Sequence, residues 1–286
     1  MEVTLLIISI ISVVLHNTLI NKVGKESSNA KSDTYVFNCF LYFVSFLIFL
    51  FITIFSGGIS WYSFLFGCVF GIVTVLAGVN KMFALNIGPM YITLLICTAS
   101  MIIPTISGVF FGEGLSVYKL IAILFLIIFI CLASIKKKAD DKKANLKWLV
   151  LCIVTFFVSG AIGVLQKVFT ASAYKDQQAA FLTAAFFISF SYSFVMAART
   201  KSSFKRPKSF WIYAILCGIC VYLMNHINLY LSGVMPSQIF FPVVNGVPIV
   251  LCSVIAFTVF KEKFSFVQLI GLIGGIASLV AICIIP

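Results

Sequence analysis

The chain has 286 residues, 62% of them hydrophobic and only 10% charged, with a formal net charge of +12. A soluble domain of this length cannot hide that much apolar surface, because too large a share of its residues must face water. Composition therefore excludes an ordinary soluble domain and makes lipid the natural solvent for most of the surface.

Apolar stretches of roughly 20 residues, enough to cross a hydrocarbon core of about 30 Å, recur along the whole chain. They predict helices over 3–20, 33–55, 62–86, 88–111, 116–135, 147–168, 177–197, 210–232, 236–260 and 264–285. The expected fold class is all-α integral membrane with ten transmembrane helices, since barrel strands would instead alternate over about ten residues. Met1-Glu2 brings no basic segment and no small-residue cleavage site ahead of the first loop, so span 1 reads as a retained helix. Between spans 5 and 6 the sequence KKKADDKK (Lys136 to Lys143) interrupts the apolar pattern. The expected division is a first five-helix repeat over 1–135, a basic cytoplasmic linker over 136–147, and a second five-helix repeat over 148–286.

Mapping the basic residues gives topology. Sixteen of the twenty fall between spans 1 and 2, 5 and 6, 7 and 8, or 9 and 10, among them Lys22, Lys142, Arg199 and Lys261. Lys119 and Lys175 lie in loops of the opposite face, and Lys81 and Lys167 lie within spans. Short loops rich in Lys and Arg stay cytoplasmic. Both termini are therefore expected to be extracytoplasmic, in a multi-pass protein of the plasma membrane. The positive charge records topology and attraction to membrane lipids; a nucleic-acid partner is not implied. All nine cysteines fall inside predicted spans, where they read as small buried hydrophobes and not as a disulfide framework.

The two halves repeat. At an offset of about 145 residues, Asn21-Lys22-Val23 at the end of span 1 falls on Gln166-Lys167-Val168 at the end of span 6. Glu113 in FGEGLSVYKLIAIL matches Glu262 in FKEKFSFVQLIGLI at an offset of 149. Because each half has an odd number of spans, the second lies upside down relative to the first. Inverted repeats give a protein equivalent ways to close on either side, which is the basis of alternating access.

From Pro248 through Leu279 the sequence is similar to the end of an EamA-type domain of the drug/metabolite transporter superfamily. That pattern sets a proline about fourteen residues before a Gly/Lys-Glu-Lys/Arg step, here Lys261-Glu262-Lys263, and then an apolar helix with spaced glycines, here Gly271 and Gly275. The first half departs from it: Pro104 stands nine residues before Glu113, and Ala122 replaces the first glycine. The resemblance covers all ten spans in order. It implies a bundle of two inverted repeats with a central cavity lined mainly by spans 1, 3, 4, 6, 8 and 9.

Polar side chains inside a span are costly and usually face protein or water. The densest set is on span 8, with Tyr222, Asn225, His226, Asn228 and Tyr230; Tyr222, His226 and Tyr230 are spaced by four and share a face. The repeat sets Asn80, with Lys81 beside it, against His226. Span 1 adds His16 and Asn17, span 4 adds Thr98 and Ser100, and span 9 adds Phe241 and Asn245. The candidate substrate-binding residues are His16, Asn17, Asn80, Lys81, Tyr222, Asn225, His226, Tyr230, Phe241 and Asn245. The competing reading is that these groups hydrogen-bond helix to helix, at about 1 kcal/mol each. Lys81, Lys22 and Lys167 can instead snorkel to a membrane boundary, and Glu113 and Glu262 can cap helices and pair with neighbours such as Lys261. Gly67 with Gly71, and Gly271 with Gly275, allow close helix approach. Pro89, Pro104, Pro236, Pro242 and Pro248 mark spans 4 and 9 for kinks.

No acidic residue falls near the middle of a span. The small multidrug resistance relatives exchange protons for cationic drugs through such a carboxylate, and this chain lacks it. His16 and His226 are the side chains within spans that can carry a coupling proton. Neither a metal-ligand cluster, nor a nucleophile elbow, nor a phosphate-binding glycine loop is present, so no enzyme activity and no cofactor are expected. The expected function is secondary active transport of a small polar organic solute, amino-acid-like or otherwise carboxylate-bearing, because Lys81, His226 and the asparagines supply donors and positive charge. The alternative is a quaternary ammonium or aromatic cationic solute held by Tyr222, Tyr230 and Phe241, and a more remote one is a non-transporting receptor.

Overall fold

The computed structural model describes residues 1–26, 30–56, 58–87, 90–114, 116–134, 146–200, 206–258 and 265–285. The linker residues 136–145, Pro89, and Lys261-Glu262-Lys263 lie outside the described residues. Every regular element among the described residues is helical. In chain order they are α1 (Glu2–Glu26), α2 (Ala30–Ser56), α3 (Trp61–Ile87), α4 (Met90–Ala99), α5 (Ile102–Ser107), a 3-10 turn (Gly108–Phe111), α6 (Val117–Ser134), α7 (Leu146–Thr170), α8 (Gln178–Arg199), α9 (Lys208–Val234), α10 (Ser237–Thr258) and α11 (Phe266–Ile284). Helix is the only open-ended structure that satisfies its own backbone where no water can reach.

Eight of these helices are long and apolar enough to cross a membrane, and Ile96–Phe111 and Val117–Ala133 are shorter apolar helical stretches. The outer surface is correspondingly apolar: Ile11, Phe51, Phe55, Phe125 and Ile273 are all more than half exposed. Burying them in water-soluble fashion would require an inverted pattern. Lipid-facing side chains explain it directly.

The fourth predicted span, 88–111, is not one rod. It breaks at Ser100-Met101 into α4 and α5 and then tightens into the 3-10 turn. Pro104 accounts for the position of the break. Its nitrogen has no hydrogen to give the carbonyl four residues back, at Ser100, and its ring crowds that carbonyl. Ser100 O instead accepts from Ile103 N–H at 3.1 Å. Pro242 and Pro248, by contrast, sit inside a continuous α10.

The chain divides into two packing units, each drawing on both halves of the sequence. The first is Met1–Val75 with Phe169–Leu231; the second is Leu76–Val168 with Ser232–Pro286.

In the first unit α2 packs along α8. Rings line that seam: Phe43 on Phe190 at 5.2 Å, Phe46 on Phe187 at 5.6 Å, and Phe49 stacked on Phe186 at 5.5 Å. Gly67 and Gly71 bring α3 onto α8, since a Cβ on either would collide with the backbone oxygens of Phe181 or Ala185. Polar groups in the unit pair off: Ser9 Oγ donates to Asn228 Oδ1 at 2.5 Å, Ser45 Oγ donates to Gly218 O at 2.9 Å, and Thr53 and Thr183 share a hydroxyl bond of 2.9 Å.

In the second unit α6 packs along α11. Gly271 makes this possible, because a Cβ there would run into the backbone of Phe129 and Ala133. Ser265 and Gln268 form a reciprocal cap at the start of α11, with Gln268 N–H donating to Ser265 Oγ at 3.3 Å and Ser265 N–H to Gln268 Oε1 at 2.8 Å. The Trp148 indole N–H donates to Thr93 Oγ1 at 2.9 Å.

Candidate functional site

Helix α9 carries the largest group of predicted site residues, and its pitch sets them on one face. Tyr222 and His226, one turn apart, lie with ring centroids 5.9 Å apart and planes within 10°. Phe49 of α2 closes the cluster, 4.9 Å from Tyr222 and 6.3 Å from His226. One turn further on, His226 and Tyr230 line a cavity of about 420 Å³ with Leu5, Ile52, Ser56, Asp176, Gln178, Ala179 and Ile227. All of these residues belong to the first unit. His226 Nδ1 is enclosed and has no hydrogen-bond partner among the described residues. Such an atom forfeits its hydration without compensation, at a cost of about 1–3 kcal/mol.

The other predicted residues of this unit are differently placed. Asn225 Nδ2 donates to Val221 O at 2.9 Å, a bond within its own helix. Asn228 is taken up by Ser9, tying α9 to α1. On α1, His16 is half-buried and Asn17 exposed, and the Cys217 thiol lies 4.0 Å from His16 O.

Asn80, Lys81, Phe241 and Asn245 belong to the second unit. Asn80 is half-buried and Lys81 is exposed. Phe241 is 3% exposed; it packs edge-on against Phe240 at 5.0 Å and, with Pro104, fills the space that Gly163 leaves without a side chain. Asn245 Nδ2 donates to Phe241 O at 2.7 Å, again inside its own helix.

A second polar assembly in the same unit was not anticipated. Lys167, read from sequence as a snorkelling lysine, is 6% exposed and forms an ion pair with Glu113. Its ammonium also donates to Ser232 O at 2.9 Å and Met235 O at 3.5 Å. Glu113 reaches this position because Gly112, at φ 82°, turns the chain through a conformation that side-chain-bearing residues rarely adopt. The carboxylate then accepts from Ser237 N–H at 2.6 Å and Ser237 Oγ–H at 3.1 Å, at the N-terminus of α10, where negative charge is favoured. Gln238 adds a bond from Ser116 N–H at 3.0 Å and another to Gly114 O. The capping expected of Glu113 is present, with Lys167 as its ionic partner. Predicted topology held the signal, since it sets the connectors after spans 4 and 6 on the same side of the membrane.

Among the described residues no group of three or more His, Cys, Asp or Glu side chains could hold a metal ion. The elements together define a multi-pass, all-α membrane protein. No family model and no curated protein matches the chain. It is similar to a solved structure described only as "Crystal structure of protein", with a TM-score of 0.71 over 97% of this chain and 96% of that one. The two are 12% identical, so the likeness is one of fold.

Proposed function

We propose that this protein is a secondary active transporter of the EamA type in the drug/metabolite transporter superfamily, built as ten transmembrane helices in two inverted five-helix repeats. It moves a small polar organic solute, amino-acid-like or otherwise carboxylate-bearing, across the plasma membrane by alternating access, with both termini extracytoplasmic. The observation that carries this reading is the α9 cavity: about 420 Å³, inside the range of small-molecule sites, with His226, Tyr230, Asp176 and Ser56 at its walls. Cavity walls of mixed polarity in a membrane bundle fit a solute that must shed its water and be released again. The repeat has its own support. The seam partners α2 and α8, and likewise α6 and α11, are related by the sequence offset of the two halves. Elements near a two-fold axis pack against their own copies.

The second reading, a quaternary ammonium or cationic aromatic solute, is favoured by the rings around His226, since aromatic faces attract cations. Solute counterflow in proteoliposomes tests the transport reading: preloaded solute must accelerate uptake of label, whereas a receptor binds without exchange. A thermal-shift screen of carboxylates against quaternary ammonium compounds separates the two solute classes, since ligand binding raises Tm by mass action. Stabilisation by carboxylates supports the first class; stabilisation by quaternary ammonium compounds supports the second.

A further inference from the structure

Asp176, in the connector between α7 and α8, is the one charged residue among the described residues lining the α9 cavity. It has no ion-pair or hydrogen-bond partner among the described residues. Leu5, Ile52, Ala179 and Ile227 supply apolar wall, while Tyr230 and His226 add ring faces and polar atoms. No lysine or arginine is there to receive an anion. An uncompensated carboxylate beside low-dielectric walls focuses a negative potential into the space it borders.

We infer that this cavity selects a solute with an ammonium head and an apolar tail, and that Asp176 is the residue that sets the charge preference. The inference rests on the reading of the cavity as the solute site. An ammonium carries three N–H donors, so it can serve both the Asp176 carboxylate and the Tyr230 hydroxyl of the cavity lining. A ring face beside it adds cation–π attraction. A carboxylic acid with no amine meets repulsion instead, whereas an amino acid enters by its ammonium end.

The test uses the full-length protein purified in detergent and four probes that share a phenyl tail: phenethylamine, L-phenylalanine, N-acetyl-L-phenylalanine and 3-phenylpropionate. Calorimetric titration is expected to show binding of the first two and not of the last two. Asp176→Asn should weaken phenethylamine by at least about 10-fold, the worth of one charge-assisted hydrogen bond. Asp176→Glu, which keeps the charge, should retain most of the affinity. Because Asp176 is exposed in a connector, neither variant threatens the fold. Unchanged phenethylamine affinity in Asp176→Asn overturns the inference, as does equal binding of the two acids or binding of none of the four probes. Counterflow with the same probes keeps the two readings apart. Asp176-dependent binding without exchange leaves the inference standing and sinks transport. Exchange of N-acetyl-L-phenylalanine that ignores Asp176→Asn keeps transport and sinks the inference.

Discussion

In the second packing unit Lys167 and Glu113 are buried together, and each finds further partners in Ser237, Ser232 and Met235. In the first unit His226 and Asp176 border a cavity, one with an unsatisfied ring nitrogen and the other with an unpaired carboxylate. Lys167 and the His226 nitrogen carry the expense of burial, whereas Asp176 is exposed in its connector. The first group recovers it internally, so its residues act on each other. The second leaves the His226 nitrogen unmatched and the Asp176 carboxylate accessible at the cavity, and an accessible charge is what a ligand can use. Burial alone would have ranked Lys167 above His226 as a site residue; satisfaction of hydrogen-bonding capacity reverses that order.

The comparison breaks most visibly at the ion pair. Lys167→Met leaves the Glu113 carboxylate without its counter-charge, and losing one partner of a buried pair costs about 3–5 kcal/mol. A large drop in Tm is expected, with partial recovery in the Lys167→Met/Glu113→Gln double variant, where no charge is stranded. The Ser237 N–H that caps α10 keeps an acceptor in the glutamine. A Lys167→Met protein as stable as wild type would mean that the assembly is not structural.

His226→Phe turns the same logic around. The ring keeps its stacking on Tyr222 and its tilted contact with Phe49 while the unpartnered nitrogen disappears. Tm should therefore stay within the equivalent of about 1 kcal/mol of wild type or rise, since removing an unsatisfied buried group is neutral or favourable. Phenethylamine affinity should fall. Loss of stability with affinity intact would place His226 among the structural residues.

How much of this was legible beforehand follows from the range of the interactions. The spans could be read because hydropathy is a local property, and Tyr222, His226 and Tyr230 because a helix repeats every 3.6 residues. The break at Ser100 was half legible: Pro104 announced a kink, yet whether a helix bends or ends is decided by what packs around it, as the unbroken α10 with two prolines shows. Lys167 was misjudged because a lysine near a helix end usually reaches for water, and its partner lies 54 residues away in sequence across a glycine-dependent turn. Asp176 drew no notice because a lone acid in a short connector looks like solvent-facing punctuation until a cavity is found beside it.

The smallest expected effect sharpens the line between the two regions. Thr53 and Thr183 bring their hydroxyls within 2.9 Å across α2 and α8. Each also lies within reach of a carbonyl of its own helix, Phe49 O at 2.8 Å and Ala179 O at 2.7 Å, so one hydroxyl donates across the seam while the other donates to its carbonyl. Thr53→Ala strands nothing, because the Thr183 hydroxyl can donate to Ala179 O instead. Its cost should be about 0.6 kcal/mol, the average for an interhelical bond in a membrane protein, read as a slight fall in Tm. Phe49, whose carbonyl Thr53 holds, is also the ring that meets Tyr222 and His226. If Thr53→Ala lowers phenethylamine affinity several-fold while Tm barely moves, the α2 hydroxyl belongs with the cavity, as a group that positions its wall. If both stay near wild type, it belongs with the satisfied polar groups that only hold helices together, and the cavity's open residues are left as the ones that distinguish binding from packing.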